Sequence, residues 1–83
     1  MAHYCKNSKL STAAVLRVAV KFFGPGGLGM NITEQAKKSA ESSAMFKGSG
    51  HVFVLARKKD TGSQVELETG LKDQQVSEFL EKI

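Results

Sequence analysis

Tryptophan is absent from this chain, and tyrosine, cysteine and proline occur once each. A binding surface made of stacked aromatic platforms therefore has little material to draw on. The lone Cys5 cannot close an internal disulfide, and by itself it cannot build a metal site. A reducing compartment, the cytoplasm, is the expected location. Long apolar runs are missing too. The longest, residues 13–23, is about half of what a membrane-spanning helix needs, and Arg17 and Lys21 interrupt it. The same two charges argue against a secretory signal, so no membrane partner is expected. Acids are missing from the first 33 residues, which hold Lys6, Lys9, Arg17 and Lys21. Mitochondrial presequences share that bias, so the mitochondrion stands as a second candidate location.

Soft ligands and catalytic bases are equally scarce. His3, Cys5 and His51 are the whole supply, and no acid or amide is placed to orient a histidine beside a nucleophile. Eighty-three residues make one domain, 1–83, with a thin core. A chain this short has little room to enclose a substrate. A noncatalytic protein with no cofactor and no metal is the expectation.

Charge is what the chain does have, and it is unevenly spread. Residues 1–59 contain ten Lys or Arg and two Glu, a balance of +8, whereas residues 60–83 contain two Lys and six acids, a balance of −4. A basic section suits a polyanion, and an acidic one suits a basic partner.

The pattern predicts an α+β domain of order β-α-β-β-α. Residues 1–12 are polar and read as loose, or as a short extra strand near His3. Residues 15–23 alternate, with Leu16, Val18, Val20 and Phe22 against Arg17, Ala19 and Lys21, which reads as a strand. Asn31 and Glu34 have the spacing of a capping pair, so a helix is expected from there to residue 46. Residues 51–57 contain Val52, Phe53, Val54 and Leu55 in a row and 64–69 alternate strictly, giving a hairpin about Lys59-Asp60-Thr61-Gly62. Val76, Phe79, Leu80 and Ile83 recur at helical spacing in a last helix from Asp73. The expected result is a three-stranded mixed sheet with two helices on one face. A helix over residues 10–23, capped by Ser11 or Thr12, would change the order to α-α-β-β-α, similar to a KH domain.

Gly24-Pro25-Gly26-Gly27-Leu28-Gly29 satisfies G-x-G-x-x-G between the expected strand and helix. There it resembles the first strand and loop of a dinucleotide-binding unit. That resemblance implies a phosphate loop whose backbone N–H groups, at Gly24, Gly26, Gly27 and Gly29, face an anion at a helix N-terminus. The chain departs from the unit in having no acid at the tip of its second strand. Gly24-Pro25-Gly26-Gly27 also resembles the G-x-x-G with which KH domains grip a nucleic-acid backbone. A flexible glycine turn explains the same residues without a ligand. Asp60-Thr61-Gly62-Ser63 is similar to the tetrapeptide around the aspartic-protease carboxylate. Three basic residues precede it, however, and Asp and Gly are ordinary turn residues.

The leading functional expectation is an RNA- or DNA-binding domain that holds the backbone through Lys37, Lys38, Lys47, Arg57, Lys58 and Lys59. The same residues also read as a hydrated surface with a protected sheet edge. A second expectation is a protein–protein regulator or homodimer using an open sheet face or edge, since the β-α-β-β-α order is similar to that of small DNA-damage-inducible regulators. The third is nucleotide binding at the glycine loop.

Overall fold

The computed structural model describes residues 2–83; Met1, the first residue of the segment expected to be loose, lies outside them. The chain runs β1 (Ala2–Ser8), α1 (Thr12–Phe23), β2 (Asn31–Lys37), β3 (Glu41–Gly48), β4 (Gly50–Lys59), β5 (Gly62–Gly70) and α2 (Asp73–Lys82). The strands form one five-stranded sheet in the order β1-β5-β4-β3-β2, with every neighbouring pair antiparallel. The α+β class holds. The expected three-stranded mixed sheet does not, and neither does the KH-like alternative.

Two elements differ from expectation, each for a physical reason. Residues 15–23 are helical. Ser11 Oγ accepts from the Ala14 N–H at 3.1 Å as an N-cap. Val15, Leu16, Ala19 and Phe23 then form one buried stripe, which outweighs the weak strand preference of the valines. Residues 31–46, expected as a helix, are instead an edge strand and its neighbour. Ser42, Ala44 and Phe46 are buried, while Glu41, Ser43 and Met45 lie on the other face. This period-2 pattern is faint in the sequence because two of its three buried members are small. The connecting Lys38-Ser39-Ala40 also lacks the Gly, Pro, Asn or Asp that usually marks a turn. The hairpin at β4–β5 and the final helix lie where their patterns placed them.

Only one face of the sheet is closed. Val52, Val54 and Ala56 of β4 and Val65, Leu67 and Thr69 of β5 are at most 1% exposed, and they meet α1 and α2. Phe23 is the hub. Its ring lies 5.5 Å from Phe46 of β3, 5.2 Å from Phe79 of α2 and 5.0 Å from Phe22. Each fully buried ring of this kind contributes several kcal/mol, of the order of 3–5 lost on truncation to alanine. No buried side-chain polar atom among the described residues lacks a partner.

β1 is held to α2 by three side chains on the closed side. Tyr4 Oη donates to Asp73 Oδ1 at 2.7 Å, Lys6 Nζ donates to the Leu80 carbonyl, and Ser8 Oγ donates to the Ile83 carbonyl at 2.7 Å. α2 has no side-chain N-cap, so the Tyr4 bond helps fix its first turn. Hydrogen bonding to the Asp73 carboxylate, with its negative charge close by, holds the Tyr4 phenol above its ordinary pKa. This contribution to stability is complete below the free phenol's pKa and is lost as pH rises through the raised value. Tyr4 is the only tyrosine, so phenolate absorbance reads it alone. The expected midpoint lies above that of free tyrosine and falls back toward it in Asp73→Ala. Identical midpoints in the two proteins would show that the bond does not persist in solution.

Candidate polyanion interface

α1 packs on β3, β4 and β5 and leaves most of β2 uncovered. All of β2 except Ile32 is exposed. A groove of about 650 Å³ lies between the helix and this strand. Its walls are apolar (Leu10, Ala14, Leu16, Val18) and its polar groups are Arg17, Lys21, Gln35 and Lys37. No acid lines it. Arg17 and Lys21 are one helical turn apart, and Lys37 faces them because Gln35 and Lys37 project to the helix side of β2, opposite Ala44 and Ser42.

A second cleft, about 400 Å³, opens where the β1–α1 turn meets the tips of two hairpins. Lys9, Lys58 and Lys59 line it together with Ser11, Thr12 and Ser39, and Asp60 is its one acid. The Lys58 N–H donates to the Ala40 carbonyl at 2.7 Å, tying the two hairpin tips together. This brings Lys58 and Lys59 beside Lys38, whose own N–H closes the β2–β3 turn on the Glu41 carbonyl at 2.8 Å. The Asp60-Thr61-Gly62-Ser63 stretch is the β4–β5 turn. Gly62 sits at φ +126°, and a Cβ there would strike the Ser8 carbonyl oxygen. A side chain is excluded on both counts.

Of the six expected contact residues, Lys37, Lys38, Lys58 and Lys59 therefore share one end of the molecule. Lys47 and Arg57 do not join them. Both lie on the open face of the sheet, and Arg57 is engaged there, 2.7 Å from Glu66 and 3.6 Å from Glu41. Lys9, Arg17 and Lys21 join the four instead. Arg17 and Lys21 could have been recognised only after α1 was known to be a helix, because they reach the groove through helical i,i+4 spacing, and Lys9 only after the β1–α1 turn was seen beside the hairpin tips. Among the described residues, none of these seven cations forms an ion pair with a carboxylate.

The glycine loop has a different setting from the one expected. It follows a helix and leads into a strand, so it lies at the negative end of the α1 dipole. Four of its amides are also occupied, Gly26 being the expected phosphate-loop glycine that is not among them. Gly24 N–H donates to Val20 O at 3.0 Å, Leu28 N–H to Phe22 O at 2.9 Å, and Gly27 and Gly29 N–H both to Gly24 O at 2.9 Å. These bonds cap a helix C-terminus, and the phosphate-loop geometry at Gly24, Gly26, Gly27 and Gly29 is replaced by a capping turn. Among the described residues no cluster of three His, Cys, Asp or Glu side chains could hold a metal ion, and no helix is long and apolar enough to cross a membrane. No protein family matches the sequence, and no curated protein is similar enough to count as a relative.

A Cβ at Gly27 would strike the carbonyl oxygens of Phe22 and Lys21, whereas one at Gly26 would meet nothing within 4 Å. Gly27→Ala is expected to lower stability by about 1–3 kcal/mol in urea unfolding, the usual cost of forced overlap. Gly26→Ala is expected to change it by less than about 0.5 kcal/mol. Equal effects would mean that the turn is not held in the capping geometry.

Proposed function

We propose that this protein binds the phosphate backbone of RNA or DNA through the α1–β2 groove and the adjoining hairpin tips. One observation carries the reading. Seven cations, Lys9, Arg17, Lys21, Lys37, Lys38, Lys58 and Lys59, line two neighbouring clefts and the turn between them, and Asp60 is the only acid there. A surplus of that size, left without internal partners, costs self-repulsion that an anionic ligand relieves. α1 alone is about 18 Å long at 1.5 Å per residue, enough to follow several successive phosphates.

The reading favours backbone over base contacts. No aromatic side chain is available on this surface to stack a base. Tyr4 is bonded to Asp73, Phe22 and Phe23 pack within or against the core, and Phe53 is on the opposite face of the sheet. Binding is then electrostatic and tolerant of sequence.

Four to six phosphate contacts would give a slope of log K against log salt between about −3.6 and −5.4 on duplex DNA. In a filter-binding salt series, Lys37→Ala and Lys58→Ala are each expected to weaken binding and to reduce the slope by about one. Arg57→Ala, already paired on the far face, is expected to leave the slope unchanged. Affinity that does not fall with salt, or an Arg57→Ala effect as large as the other two, would sink the proposal.

A further inference from the structure

We infer that the open face of the sheet is a docking site for a cationic amphipathic helix of a partner protein. The face is built from the alternate residues that α1 and α2 do not cover. Its middle is apolar: Phe53 and Leu55 on β4 and Met45 on β3 are half-buried by their sheet neighbours and lie outside the core. Registry places a carboxylate on either side of this strip. Glu68 pairs with Phe53, Phe53 with Met45, and Met45 with Glu34. Three strand spacings, about 14 Å, therefore separate the two acids. An α-helix with its side chains is about 10–12 Å across. Lying along the strands, it would rest its apolar stripe on Phe53, Leu55 and Met45 and reach a carboxylate with the basic residues on each flank.

Charge selects this occupant over two others. The face carries Glu34, Glu41, Glu66 and Glu68 against Lys47, Arg57 and, at its hairpin-tip end, Lys59. Arg57 is already shared between Glu41 and Glu66, and His3 lies 3.6 Å from Glu66, so among the described residues Glu34 and Glu68 are the acids left without an ion-pair partner. A nucleic acid would meet like charge. So would a second copy laid face to face, because each face brings the same carboxylate surplus. Size is also suitable. A helix of about 14 residues, roughly 20 Å long and 10–12 Å across, fits within the molecule's outline of about 35 by 20 Å.

The site is independent of the polyanion surface, and the test keeps the two apart. The probe is a fluorescein-labelled peptide of about 14 residues, long enough to run roughly 20 Å along the strands, with leucines on one helical face and lysines on the other. A second peptide replaces every lysine with glutamate. Fluorescence anisotropy against the full chain is expected to show saturable binding of the lysine peptide and none of the glutamate peptide. Glu34→Gln combined with Glu68→Gln, and separately Leu55→Ser, are each expected to weaken binding at least about tenfold, with cooperative melting retained as the check on folding. Lys58→Ala combined with Lys59→Ala is expected to leave peptide binding unchanged while weakening binding to DNA. Three results would overturn the inference: equal affinity of the open-face variants and the parent protein, binding of the glutamate peptide, or a dimer in sedimentation equilibrium that Leu55→Ser abolishes. The last would assign the face to a second copy.

Discussion

β1 and β2 are joined by α1 yet lie at opposite edges of the sheet, and this connection sets the rest of the architecture. Both strands run toward the β4–β5 turn, β1 ending beside Ser63 and β2 starting beside Lys47 at the other end of the sheet, so α1 has to return the chain along the strands. Seven strand residues span about 23 Å, and twelve helical residues rise about 18 Å, which covers most of that return. The turns on either side of the helix make up the rest and the shift from edge to edge. Phe23 anchors its far end against Phe46 and Phe79, so one ring joins α1, β3 and α2. The amide-rich turn that follows caps the helix and delivers Met30, 3% exposed, to the start of β2.

Covering one face in this way sorts the charges by surface, which their order along the chain does not do. The outer side of α1 and the tips of two hairpins gather cations, while the uncovered face holds Glu34 and Glu41 from the basic part of the sequence beside Glu66 and Glu68 from the acidic part. The imbalance between residues 1–59 and 60–83 was a genuine clue, but it pointed to the wrong division. The antiparallel registry interleaves the two parts, and Arg57 lies between an acid of each, Glu41 and Glu66.

How much the sequence revealed depended on how strongly each element marked itself. The β4–β5 hairpin was legible because Val52 to Leu55 are all apolar, Gln64 to Thr69 alternate, and Asp60 to Gly62 make a turn. α2 was legible from its i, i+3, i+4, i+7 stripe. α1 was ambiguous because Arg17, Lys21 and the valines fit periods of both 2 and 3.6, and the Ser11 cap and the stripe buried against the sheet decide between them. β2 and β3 were misread because local capping and i,i+4 signals at Asn31, Glu34 and Lys38 imitate a helix, while strand pairing is a long-range property. The site was affected accordingly. Four of its seven cations could be named from composition; Arg17 and Lys21 required the helix, and Lys9 the turn that precedes it.

The two charged surfaces occupy opposite sides of a body about 20 Å thick. At that separation a pair of unit charges in water interacts by roughly 0.2 kcal/mol before screening, and the Debye length at physiological salt, about 8 Å, removes most of that. An anion held along α1 therefore changes the potential at Glu34 or Glu68 very little. The centre of the core between the two faces is apolar, made of Val52, Val54, Val65 and Leu67, and the buried hydroxyls of Ser63 and Thr69 donate to backbone carbonyls, of Leu10 and His51, and not to a charged group. Coupling would need the sheet itself to shift, and a sheet pinned on one side by Phe23 and Phe79 resists shifting. Under the two proposals, a polyanion and a cationic helix would bind at once, each with nearly the affinity it has alone.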